Sequence, residues 1–253
     1  MIAREAAIAL LPHGVVEGVR NHRMLSRLGA ATTRPRAASL ARGARLDLLP
    51  PGALRELETV VDVGANEGLW SRAVLALARP QRVVAVEPSP DILPLLRKAI
   101  GSSNSVSIVG AAVGSSIGEV QFNVTSHTHS ASLLPPRSDV MNAFYGGGYD
   151  ITSQVVVPLT TIDEIMRGTD AVSLLKLDVQ GAERAAIEGA RETLGRTRWL
   201  LIETNFRSHY VGDMLFPELH ALLTELGFRL TGMAEPFIRQ GVALWSDSLY
   251  ERT

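Results

Sequence analysis

The sequence predicts an α/β fold built on a mostly parallel sheet. Three observations predict it. Residues 60–68 form an apolar run that stops at a glycine-rich turn, Val60-Val61-Asp62-Val63-Gly64-Ala65-Asn66-Glu67-Gly68. A second apolar run, Val83-Val84-Ala85-Val86, follows about 20 residues later and stops at a carboxylate, Glu87. From residue 59 onward short apolar runs alternate with stretches of helical period, the pattern of parallel β-α units.

The elements follow in order. Residues 1–57 are Ala- and Arg-rich and read as a helical extension, loosened around Pro35. Three roles stand for it: a cap with a solvated arginine face, a dimer contact, or a lid. Residues 58–253 form the main domain. Its first strand is Thr59–Val63, and a helix from Gly68 to Ala78 is stopped by Pro80. Arg82–Val86 is the second strand. Asp91–Ile100 is a helix, with Ser89 or Asp91 as cap and Gly101 as stop. Val106–Val109 is the third strand, followed by the small-residue turn Ala111-Ala112-Val113-Gly114.

Glu119–Val124 and Gln154–Pro158 alternate as strands. The long segment between them, about residues 125–153, carries His127, His129, Pro135-Pro136 and a triple glycine. Loops this long are functional or disordered, so it reads as a substrate loop or a surface excursion. Thr161–Met166 is a helix, Ser173–Leu177 a strand ending at Asp178, and Gly181–Leu194 a helix. Trp199–Ile202 is a strand ending at Glu203. Pro217–Leu226 is a helix stopped by Gly227, and Phe228–Gly232 with Val242–Trp245 form a closing antiparallel pair.

The chain has 253 residues, 46% hydrophobic and 20% charged, enough for one large domain with a substantial core. A net charge of −1 gives no reason to expect a nucleic-acid partner. There is no cysteine, hence no disulfide framework or thiolate metal site, which suits a cytoplasmic protein. No apolar run approaches the ~18–20 residues of a membrane span.

The glycine turn and Glu87 together describe a nucleoside site. The glycines let the backbone approach a ligand, and Glu87 can accept hydrogen bonds from both ribose hydroxyls. Dinucleotide sites place their glycines as Gly-x-Gly-x-x-Gly; here the order is Asp62-x-Gly64-x-Asn66-x-Gly68. An acid ahead of the first glycine suits a ligand with an amino group, and S-adenosyl-L-methionine is such a ligand. Asp62 is expected to face its amino end, the amides of Gly64 and Ala65 to line another face, and Ala112 to lie beside the adenine. An NAD-dependent oxidoreductase is disfavoured by the spacing. A nucleoside-binding regulatory protein without chemistry is disfavoured by two further acids.

Those acids, Asp178 and Glu203, fall at neighbouring strand ends. Two close carboxylates repel unless a cation intervenes. Mg²⁺ is one resolution, with Asp178 and Glu203 as ligands; the other is a metal-free site in which a carboxylate orients substrate or a histidine. Methylating a hydroxyl requires removal of its proton, and His209, His127 and His129 are the candidate bases.

At this point the chain resembles the FkbM-type S-adenosylmethionine-dependent methyltransferases. The resemblance rests on Val61–Gly68, Val86-Glu87-Pro88, Ala112-Val113-Gly114, Leu159–Asp163 and Leu175–Glu183, and covers about residues 58–245. It implies a class I methyltransferase fold, a Rossmann-like seven-stranded sheet flanked by helices, and transfer to an oxygen of a sugar or polyketide. It implies Asp62, Gly64, Asn66, Glu87 and Ala112 as cofactor contacts, with Ala65, Gly68, Pro88 and Asp178 beside them. Asp178 and Glu203 would sit at the reaction centre. Where catechol-type enzymes carry a basic lysine, this chain has Gly181, which favours histidine or a carboxylate. A sugar or oligosaccharide acceptor suits the polar loop and an aromatic content of 5%. A homodimer is expected as one role for the extension.

Overall fold

The computed structural model describes residues 34–101, 104–147 and 149–253. Residues 1–33, most of the predicted helical extension, lie outside them. The chain alternates as expected through β1 (Thr59–Val63), α2 (Leu69–Leu77), β2 (Arg82–Val86), α3 (Leu93–Ile100) and β3 (Val106–Val109), preceded by α1 (Arg34–Gly43). Pro35 stands in the first turn of α1, where a missing N–H costs no helical hydrogen bond.

The remaining elements are β4 (Ala112–Val113), β5 (Gly118–Thr125), α4 (Ser138–Tyr145), β6 (Ile151–Thr160), α5 (Ile162–Ile165), β7 (Val172–Leu177), α6 (Glu183–Glu188), α7 (Arg191–Gly195), β8 (Thr197–Asn205), α8 (Phe216–Glu225), β9 (Phe228–Met233), β10 (Phe237–Arg239) and β11 (Val242–Arg252). The large sheet runs β10-β11-β8-β7-β1-β2-β3, with β9 also on β11. From β3 to β8 every pairing is parallel. β11 is antiparallel to β8 on one edge and to β9 and β10 on the other, so the expected closing pair gains a short eighth strand.

Strand alternation divides the core. Val61, Val63, Leu175 and Leu177 pack on one face with Ile187, Leu219 and Leu223 of α6 and α8. Val60, Leu174, Trp199 and Leu201 pack on the other face with α2 and with Leu40, Leu46, Leu49 and Leu57. Residues 40–57 thus share a core with the sheet.

Three local differences from the expected elements have physical causes. The segment 125–153 is no surface excursion. It contains α4, and Met141, Tyr145 and Tyr149 are buried with Tyr210, Phe237, Leu244 and Trp245. The helix expected over Gly181–Leu194 is two, α6 and α7. At the break, a Cβ on Gly189 would collide with the Gly114 carbonyl oxygen. The Asp163 carboxylate then accepts from the Glu192 and Thr193 amides at 3.1 and 2.7 Å, capping α7. Finally, β8 extends to Asn205, so Glu203 lies within the strand, in register with Asp247. No helix among the described residues is long and apolar enough to cross a membrane.

β5 and β6 pair antiparallel in a small sheet, which β4 joins parallel to β6. It stands above the ends of the parallel strands and supplies Ala112, Val113 and Phe122 to the cleft described next.

Candidate active site

A cleft opens beyond the carboxyl ends of β1, β2 and β7. Its lining includes Gly64, Asn66, Glu87, Pro88, Ala112, His129, Asp178 and Gln180. Ala111, Ala112, Val113, Phe122, Ala131 and Leu133 form an apolar wall suited to a flat base. A second cavity of about 850 Å³ shares Gly64, Asn66, His129 and Asp178 with the first. It extends over Ala65, Glu67, Trp70, Lys176, Glu203 and Trp245 to Arg45 and Asp247.

The turn after β1 is held by Val86, whose carbonyl accepts from the amides of both Gly64 and Ala65 at 3.0 and 2.9 Å. Those amides therefore serve the turn. Gly64 has φ +79°, and a Cβ there would strike the Asp178 carbonyl oxygen, so the ends of β1 and β7 meet over a glycine. Glu87 is buried and aimed by two amides: Oε2 accepts from Asn66 at 2.9 Å and Oε1 from Ser89 at 2.8 Å. Burial raises its pKa, against those two hydrogen bonds. Each oxygen keeps a lone pair for a ligand hydroxyl.

Lys176 is the residue that the sequence reasoning missed. It sits in β7 between Leu175 and Leu177, each fully buried and worth roughly 1.5–3 kcal/mol of transfer free energy. A buried ammonium there is costly unless paired. Its Nζ lies 3.4 Å from Asp62 Oδ1 and 3.2 Å from Asp178 Oδ2. Burial opposes the charge on Lys176, but Asp178 and Asp62 outweigh it and its pKa is raised. Burial would likewise raise Asp178, but Lys176 and the Gln180 amide hold its pKa below the ordinary value. A lysine interrupting the apolar run Leu174–Leu177 was the available signal.

This ammonium is the cation that the strand-end acids require. Among the described residues no group of three or more His, Cys, Asp or Glu side chains is arranged to hold a metal ion. Asp178 and Asp62 flank Lys176, while Glu203 lies in β8 in register with Asp247.

Gln180, also missed, has φ +54°. Its Nε2 donates to Asp178 Oδ1 at 2.8 Å, and its Oε1 accepts from Tyr210 Oη at 2.9 Å. Its carbonyl accepts from Ser132 Oγ at 2.6 Å. The loop after β5 is thereby tied to Asp178.

A model of the methyltransferase FkbM domain matches residues 62–230. The chain belongs to the FkbM family of S-adenosylmethionine-dependent methyltransferases. This FkbM chain is 24% identical over 164 residues to the 2-O-methyltransferase NoeI of Sinorhizobium fredii, covering 61% of the chain and 66% of NoeI. It is 24% identical over 199 residues to the methyltransferase sdnD of Sordaria araneosa, covering 68% and 74%. Its fold is similar to the crystal structure of the FkbM methyltransferase of Methylobacillus flagellatus, with a TM-score of 0.51 and 15% identity over 94% of this chain and 59% of that one. The chain therefore spans less than two thirds of that neighbour's length.

The other sequence-predicted residues of the FkbM domain fall in different places. Asp62 is fully buried in β1 and lines neither cavity; its Oδ2 accepts from Ser71 Oγ at 2.7 Å. Its Oδ1 has no hydrogen-bond partner among the described residues, only the facing ammonium. Gly68 lines neither cavity and packs under Leu96 and Ile100 of α3. Ala65 lines the second cavity alone. His127 is not among the lining residues of either cavity, and its ring lies 5.0 Å from that of Tyr149. His209 is buried beside a small cavity that also touches Gln180, Glu203 and Trp245. Its two ring nitrogens are engaged, Nε2 with Tyr145 Oη at 2.9 Å and Nδ1 with Asn205 Oδ1 at 3.1 Å. Burial lowers its pKa to about 4. His129 stands where the two main cavities join, and burial keeps its pKa below the ordinary value despite Glu67 and Asp178.

Proposed function

We propose that this chain methylates a hydroxyl of a sugar or oligosaccharide, with S-adenosyl-L-methionine as donor. The observation that carries the reading is the joined pair of cavities with His129 and Asp178 at their junction. The first cleft fits the donor by its chemistry. Glu87 offers two oriented oxygens to a ribose, the wall around Ala112 and Phe122 suits adenine, and the ionised Asp178 suits an ammonium. Gly64, Asn66 and Pro88 complete its lining. When bound, the donor supplies an electrophilic methyl group.

The protein's share is positioning and proton removal. His129, neutral at physiological pH, takes the acceptor's proton as the oxygen gains the methyl. Asp178, held charged by Lys176 and oriented by Gln180, positions the ligand amine and favours the imidazolium that forms. Lys176 supplies the positive charge between the acids, so this reading includes no metal. His209, engaged at both nitrogens, acts as a buried strut for Tyr145 and Asn205.

Calorimetry with S-adenosylmethionine, its demethylated product and NAD tests the first half: the first two bind and NAD does not. Binding of NAD alone would overturn it. Methyl transfer onto defined sugars and polyketides tests the second, with sugar products expected.

A further inference from the structure

We propose that Tyr210 is a positioning residue: its hydroxyl clasps the loop that carries His129 onto the turn that carries Asp178, and so sets the imidazole against the carboxylate. The proposal rests on the methyl-transfer reading above, in which those two side chains act together, and adds the residue that brings them together.

Tyr210 follows β8 and is buried, with its ring packed on the turn after β7. Gly181 makes that packing possible. Its φ is +94°, and a Cβ there would lie 2.9 Å from Cδ2 of the Tyr210 ring. The ring thus takes up the space that a longer residue at 181 would need. The backbone of Tyr210 is fixed as well. The Arg137 amide donates to the His209 carbonyl at 2.8 Å, and the Val211 amide to the Pro135 carbonyl at 2.9 Å. The Asp213 carboxylate accepts from the Tyr210 amide at 3.3 Å. The phenol is therefore aimed by its backbone and its ring together.

The hydroxyl has one proton to give, and two acceptors face it: Gln180 Oε1 at 2.9 Å and the Ser130 carbonyl at 3.2 Å. Ser130 is the residue after His129. The orientation of the Gln180 amide is set by Asp178. An ionised carboxylate only accepts, so Nε2 turns to Asp178 and Oε1 to Tyr210. A second tie runs beside the first. Ser132 Oγ donates to the Gln180 carbonyl at 2.6 Å and accepts from the Leu134 amide at 3.0 Å. Ser130 and Ser132 are both buried, so both ties lie out of water. They hold the loop on the C-terminal side of His129 to the β7 turn. A small displacement of a reacting group costs rate steeply, which is why such ties matter to the chemistry.

Hydrogen exchange read by mass spectrometry and a histidine NMR titration of the full chain test this, and neither needs an acceptor. Tyr210→Phe keeps the ring and removes the hydroxyl. Exchange across residues 126–137 is expected to rise about fivefold or more, with the parallel strands unchanged. The His129 resonance, assigned by its loss in His129→Gln, is expected to titrate closer to the ordinary value of 6.5 than in wild type. Tyr250→Phe, which removes a hydroxyl bonded to His220, is the control and should move neither readout. Unchanged exchange in the loop, an unchanged His129 titration, or the same His129 change in Tyr250→Phe overturns the proposal. If Tyr210→Phe does not fold, Ser132→Ala cuts the second tie and is read in the same way. Calorimetry with S-adenosylhomocysteine separates this proposal from the reading beneath it. If the wild-type chain does not bind that compound, the methyl-transfer reading itself falls. If it binds while loop and imidazole ignore the loss of the hydroxyl, only the present proposal falls.

Discussion

Single side chains set the charge state of this site. Lys176 faces two acids, one of them wholly out of water. Lys176→Met leaves Asp62 buried without its counter-ion, and removing one member of a buried pair costs about 3–5 kcal/mol. Urea unfolding should show a loss of that size; a variant as stable as wild type would mean that the pair contributes nothing. His129 works differently, since it borders both cavities. His129→Ala should reduce kcat about 100-fold with little change in donor affinity. A near-normal kcat would remove it as the base.

Glu183 gives the fold a pH dependence of its own. It is buried, its Oε1 accepts from the Val179 amide at 3.2 Å, and burial pushes its pKa up to about 7 from 4.5. Between those values the folded chain keeps a proton that the unfolded chain has lost. Stability from this group is full below pH 4.5 and falls as pH rises toward 7. His209, held down near 4, has the opposite sign, with stability lost as pH falls from 6.5. The Glu183 contribution is therefore read by difference. Relative to Glu183→Gln, the wild type should lose on the order of 1–3 kcal/mol across that window. Parallel curves would contradict the assignment.

At the scale of elements, small residues decide where helices break and strands meet. Gly189 faces the Gly114 carbonyl so closely that a methyl group has no room. Gly189→Ala should destabilise by roughly 1–3 kcal/mol, as overpacking does, measured by the shift in urea midpoint at constant m-value. This contact also shows why the α6–α7 break was hidden. Residues 181–194 carry helical signals locally, and the partner that interrupts them lies 75 residues earlier in the chain. β1 and β2 were legible because strands buried on both faces read as unbroken apolar runs ended by a turn. The Glu87 position was legible for the same reason, since it needs only the end of such a run. α4 was not, because Ser138–Tyr145 is short and its burial depends on β10 and β11. Lys176 carried a signal, the break in an apolar run, but its pairing with β1 belongs to tertiary structure; Gln180 was illegible because its distant partners come from the loop after β5 and from Tyr210. His209 was legible as a polar histidine near a strand end, but its two engaged nitrogens belong to tertiary structure.

At the scale of the whole molecule, the site collects walls from residues 43 to 247, and occupation should stabilise the chain as a unit. S-adenosylhomocysteine at 100 times its Kd should add about 2.7 kcal/mol to unfolding. A scanning calorimeter should show one transition moving up; two transitions, only one of them moving, would divide the domain.

The position of β11 bears on how such a chain is made. It follows β8 and β9 in sequence, yet it lies between them in the sheet. On the ribosome, β8 emerges well before the strand that will cover its edge. That edge belongs to Trp199, Leu200, Leu201 and Ile202, all buried in the finished sheet. An open apolar edge pairs readily with other chains. Synthesis that stalls before Val242 should therefore yield a species that aggregates or is held by chaperones, with no stable half-domain to wait in.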